Sequence, residues 1–195
     1  MRQTFIVLEL LLLISLLRSP AISWTEDKSP CPKNSTCLTQ GWSDEERYKF
    51  YHTTQGSRLI PYQWLVALEE PESTEKTVKM LLSDTVTDRY RFVVDPEAHD
   101  HLPVGFVKEC DEDITLDKEC NGKENVWVGL TCAACHTSQI EHEGKHIRID
   151  GGASMADFMG YLEHLSDTLI KTQNPPQHDP SKFDRFARKV FEEEV

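Results

Sequence analysis

At 195 residues the chain is long enough for one compact domain with arms, and 38% hydrophobic with 28% charged residues suits a soluble globular protein. A formal charge of −12 argues against nucleic acid and anionic lipid as partners. It favours a basic soluble protein, drawn in by long-range attraction.

The first 23 residues read as an export signal. Arg2 supplies the positive start, Phe5 to Leu17 is apolar except for Glu9, and Ala21-Ile22-Ser23 sets small residues before a cut at Trp24. Cleavage would remove Arg2, Arg18 and Glu9, leaving −13, and no later segment is long and apolar enough to span a bilayer. The expected location is therefore outside the cytoplasm, periplasmic or extracellular. Residues 24–41 form an arm punctuated by Ser-Pro and Cys-Pro, with Asn34-Ser35-Thr36 as a glycosylation acceptor pattern in a eukaryotic source.

Order begins at Trp42. Ser43 with Glu46 is a capping box for a helix bearing Tyr48, Phe50 and Tyr51, which Gln55-Gly56-Ser57 ends. Pro61 opens a second helix through Trp64, Leu65 and Leu68, and residues 75–83 read as a third around Val78, Leu81 and Leu82. Tyr90–Val94 and Val126–Val128 have β character, with residues 95–125 between them as a long irregular loop. Arg148-Ile149-Asp150-Gly151-Gly152 reads as a turn. Ser154 and Asp157 then cap a helix whose Met155, Phe158, Met159, Leu162, Leu165 and Leu169 recur on one face, and a last helix starts at Asp179-Pro180. The expectation is a mainly α domain over residues 42–195 with long irregular loops.

The chemistry concentrates in Thr131-Cys132-Ala133-Ala134-Cys135-His136-Thr137. A helical spacing of three stacks the two sulfurs, with an imidazole next to them, and this is what covalent attachment of one c-type haem needs. Cys132 and Cys135 would take the two vinyl groups and His136 would ligate the iron. Export agrees with the remaining cysteines: Cys31–Cys37 and Cys110–Cys120 make two short-range disulfides without remainder. The alternative is a zinc site, Cys132 and Cys135 followed by His142 and His146, in a secreted disulfide- or zinc-stabilised binding domain without redox function. A thioredoxin-like thiol pair is disfavoured, because no βαβ pattern precedes it.

With Leu130–Thr137, Arg148–Gly152 and Asp179–Ala187 in view, the chain resembles exported di-haem c-type cytochromes of the cytochrome c peroxidase-like and rubber-oxygenase-like kind. Gln55-Gly56-Ser57, Pro61–Trp64 and Leu102–Phe106 are similar to the same group. The resemblance implies a cytochrome c-type helical domain, haem held by Cys132, Cys135 and His136, and electron transfer outside the cytoplasm with a redox partner protein. It differs in having one Cys-x-x-Cys-His where those proteins typically have two. The chain therefore resembles the first haem-bearing part of such a protein, and any enzymatic role would be that of a haem-dependent peroxidase or oxygenase. The sixth iron position stays open among His142, His146, Met155, Met159 and no protein ligand. Arg148 is a candidate partner for a haem propionate, with a surface role as its alternative.

Overall fold

The computed structural model describes residue 31 and residues 35–94, 100–110 and 126–192. The proposed export signal, His99, Cys120 and the acid-rich 111–113 lie outside the described residues.

The mainly α expectation is overturned, because two three-stranded sheets accompany the helices and the fold is α/β. The first sheet holds β1 (Ser35–Cys37), β5 (Thr137–His142) and β6 (Lys145–Asp150), in the order β1-β6-β5. Strands β5 and β6 form an antiparallel hairpin closed by Glu143 and Gly144, both at positive φ, the two-residue turn whose twist matches that of the strands. The segment read as a turn at Arg148 is therefore the end of β6, and only Gly151-Gly152 turns. The hairpin is hard to read because β6 buries Arg148 and Asp150 while Ile147 and Ile149 are only partly covered. Its buried face is the polar one, so hydrophobic alternation points the wrong way.

The second sheet holds β2 (Ile60–Pro61), β3 (Phe106–Cys110) and β4 (Val126–Leu130), all antiparallel with β4 in the middle. Strand β3 falls inside the stretch expected to be irregular. Gly129 lets the buried Glu109 side chain lie across the facing strand, since a Cβ there would collide with that carboxylate. Tyr90–Val94 does not form a strand; Tyr90 caps a helix instead.

Helix α1 (Asp44–His52) begins with the expected Ser43–Glu46 capping box. Helix α2 (Tyr62–Ala67) follows Pro61. The helix expected over 75–83 is absent: turns and the isolated bridges Glu69–Met80 and Thr74–Thr77 occupy 69–80, and α3 (Asp84–Arg89) starts later behind its Ser83 cap. Helix α4 (Cys132–His136) carries the cysteine pair. Helix α5 (Phe158–Gln173) is capped by Asp157, whose carboxylate accepts from Gly160 N, and α6 (Lys182–Glu192) ends the described chain.

Phe92, Phe106 and Tyr161 meet edge-to-face at 5.1, 5.2 and 6.0 Å and form the centre of a core with Leu65, Leu68, Val86, Val128 and Leu165. Burial pushes the Tyr161 phenol up to about 12. The buried stripe of α5 is Tyr161, Leu165, Thr168 and Thr172, so the apolar face inferred from sequence is rotated. Its two methionines fall outside the core: Met155 is 62% exposed and Met159 66%. No helix among the described residues is long and apolar enough to cross a membrane.

Candidate functional site

Helix α4 is short, and its surroundings hold it. At its start Thr131 Oγ1 accepts from Ala133 N, while Thr131 N donates to Gly105 O at 2.9 Å. Gly105 has φ +90°, and a Cβ on it would stand 2.2 Å from Ala134 N, so the helix backbone rests directly on a glycine. At the other end Cys135 O accepts from Ser154 N at 2.9 Å and His136 O from Gly151 N at 2.7 Å. Gly151 and Ser154 thereby satisfy carbonyls that a helix end leaves free.

The two faces of α4 differ. Ala133 and Ala134 are buried, Ala133 in a small cluster with Tyr51 and Val104. Cys132, Cys135 and His136 are all exposed, and both thiols are free of any disulfide. Small residues inward and reactive residues outward is the arrangement the spacing demands. Among the described cysteines, Cys31 is bonded to Cys37, and Cys110 is also disulfide-bonded. Cys120, the partner expected for Cys110, lies outside the described residues.

Beneath α4, Asp150 on β6 accepts from Tyr51 Oη at 2.5 Å and from Arg47 Nε at 2.9 Å. Burial, reinforced by the hydrogen bond to Asp150, pushes the Tyr51 phenol well above its ordinary range. This neutral phenol and the Arg47–Asp150 pair tie α1 to β6 behind the cysteine helix.

Arg148, two residues earlier on the same strand face, is only 1% exposed, which rules out the surface role. Its guanidinium donates to Gln139 Oε1 from Nε at 3.3 Å and Nη2 at 3.2 Å, and to Val94 O at 3.5 Å. Nη1 has no hydrogen-bond partner, and no carboxylate among the described residues pairs with this cation. A buried charge in that state is expensive.

The candidates for the sixth ligand separate by position. Strand β5 runs away from α4 for its whole length, about 17 Å at some 3.4 Å per residue, so His142 sits at the far end of the hairpin from His136. His146 faces Glu141 across the hairpin and lies beside Gln139. Cys132, Cys135, His142 and His146 therefore do not converge, and among the described residues no three metal-ligating side chains are placed to share an ion. Met155 follows Ser154, whose amide holds Cys135 O, so its exposed thioether starts from the edge of the site.

Sequence reasoning missed the part played by Gln55-Gly56-Ser57. Leu130, two residues before Cys132, donates its N–H to Ser57 Oγ at 2.7 Å and accepts at its carbonyl from Gln55 N at 2.7 Å. Gln55 Nε2 also donates to Cys132 Sγ at 3.2 Å. These groups are more than seventy positions apart in the chain, so no local signal links them.

The chain is similar to protein y4iJ of Sinorhizobium fredii (strain NBRC 101917 / NGR234). The two are 35% identical over 163 residues, which cover 80% of this chain and 26% of that protein, itself described as uncharacterized. The chain thus spans about a quarter of the relative's length. No family model matches the chain, and no solved structure matches it.

Proposed function

We propose that this chain is a c-type cytochrome domain that binds one haem covalently through Cys132 and Cys135, with His136 as an iron ligand, and passes electrons outside the cytoplasm. The observation that carries the reading is the division of α4: both unpaired sulfurs and the imidazole are exposed while the two alanines between them are buried. A thiol pair kept only for packing would be turned inward.

The residues present suit the group in two further respects. Arg148 is a buried cation with an unused donor and no carboxylate partner among the described residues, and the haem's propionates are anions. Met155 is large, apolar and exposed, and follows Ser154 at the edge of the site, where a flat hydrophobic ring would cover it.

Each residue would then have a distinct task. Cys132 and Cys135 would fix the ring at one edge, His136 would present a nitrogen to the iron, and Arg148 would offset negative charge. Bound haem would supply a one-electron iron centre. The acidic surface would attract a basic redox partner and make association sensitive to salt.

The test is the full chain produced alongside a c-type haem maturation system. The purified protein is expected to show a Soret band and sharp α and β bands on reduction. Cys132→Ala and Cys135→Ala should each leave one thioether, and the double variant none. A colourless protein that binds zinc stoichiometrically would instead support the secreted, metal-stabilised binding domain.

A further inference from the structure

The Gln55-Gly56-Ser57 turn is joined to the cysteine motif by three hydrogen bonds, two to the backbone of Leu130 and one to the sulfur of Cys132. The turn is itself anchored from below. Thr54 Oγ1 donates to the buried Glu109 carboxylate and accepts from Gly56 N at 3.0 Å, and Gly56 takes φ +70°. Glu109 lies over Gly129, so strand β4, which leads into α4, and the turn share one support. Cys135 has no corresponding partner for its sulfur among the contacts described; only its carbonyl is held, by Ser154 N.

We propose that Gln55 is a positioning residue for Cys132. Its carboxamide N–H fixes the orientation of Sγ of that cysteine, the atom that would add to a haem vinyl group, whereas the sulfur of Cys135 would add without such a contact. The inference rests on the haem reading above. The bond it governs forms by addition: the sulfur joins the inner vinyl carbon and the thiol hydrogen ends on the outer one. Nothing is oxidised or reduced in that step, and no atom leaves.

The neighbouring side chain in the same turn gives a control. Ser57 Oγ accepts from the Leu130 backbone and does not touch the sulfur, so Ser57→Ala loosens the turn without removing the contact to Cys132. Gln55→Glu keeps the length and polarity of the side chain and removes the N–H donor, whereas Gln55→Leu removes both polar atoms.

The experiment compares the full-length protein and these three variants, each matured with haem, by mass spectrometry of the haem-bearing peptide after alkylation of free thiols. The wild type and Ser57→Ala should carry haem on both cysteines. Gln55→Leu and Gln55→Glu should show the ratio of doubly linked to Cys135-only chains falling about fivefold, the factor set by one ordinary hydrogen bond, with Cys132 alkylated. Wild type and all three variants equally doubly linked would overturn the proposal while leaving the haem reading intact. So would equal losses at both cysteines in Ser57→Ala and Gln55→Leu, which would mark the turn as scaffolding only. A wild type with no covalent haem would overturn both.

Discussion

Arg185 and Arg148 are both largely withdrawn from solvent, yet their electrostatic settings are opposite. Arg185 on α6 lies between two buried carboxylates: Nη2 is 2.6 Å from Glu69 Oε2 and 2.7 Å from Asp179 Oδ2, with Nε a further donor to Glu69. Lys182 beside it donates to Glu70 O at 2.6 Å. The hydrogen bonds to Asp179 and Glu69 hold the guanidinium firmly protonated. Arg148, under the cysteine helix, has an amide oxygen and one long carbonyl contact, and one of its nitrogens is unpartnered. In the first network the guanidinium is matched by two buried carboxylates, as expected of a strap that fixes a C-terminal helix. At the second, no carboxylate among the described residues pairs with the cation, which lies 5.9 Å from the centre of the Tyr51 ring.

The contrast can be pressed by substitution. Arg185→Met leaves Asp179 buried without its ion-pair partner and Glu69 with only the longer contact to Lys189, and is expected to cost about 3–5 kcal/mol in urea unfolding. That penalty should depend on pH. Burial alone would raise the Glu69 carboxyl, but the hydrogen bond and charge of Arg185 outweigh it and hold it below its usual range, and the Arg185 hydrogen bond holds Asp179 down as well. The lowered folded values mean that the stabilisation is complete above the ordinary carboxylate range, about pH 4, and is lost as pH falls through them. The gap between variant and wild type should accordingly narrow below about pH 4; a gap that widens there would contradict the assignment.

Gly105→Ala comes next in size. Positive φ and a Cβ pressed against the Ala134 backbone together predict about 2–4 kcal/mol of destabilisation. Hydrogen exchange should place the loosening at residues 131–136. The smallest effect is expected from Arg148→Met in the haem-free protein, within about 1 kcal/mol of wild type in either direction, because no carboxylate among the described residues loses a partner. The same substitution should cost more in the haem-loaded protein. Equal costs in the two states would remove Arg148 from the site and dissolve its contrast with Arg185.

The parts of this fold that are legible in the sequence are those in which local chemistry and tertiary burial agree. Ser43 and Glu46 announce α1, Asp157 caps α5 next to the expected position, and Val126–Val128 is a strand. The first sheet is hidden because the buried side of β6 is a cation and an anion, Arg148 and Asp150: Asp150 is satisfied by Tyr51 and Arg47 from a distant part of the chain, and Arg148 contacts Gln139 on the neighbouring strand. Residues 75–83 mislead in the opposite sense: Leu81 is buried at helical spacing from an exposed Val78, and the segment bridges Glu69 instead of coiling. At the candidate site, Cys132, Cys135 and His136 declare themselves by spacing alone. Gln55, Gly105 and Gly151, which position them, are invisible until the chain is folded, since each acts through a backbone or side-chain contact that spans at least fifteen residues.

The most direct measurement is the intact mass of the full chain, matured with haem and then extracted with acidified acetone. Two thioethers predict a polypeptide heavier by one haem with its colour retained. A chain at its unmodified mass, with all pigment in the organic phase or none at any stage, would contradict the assignment of Cys132 and Cys135.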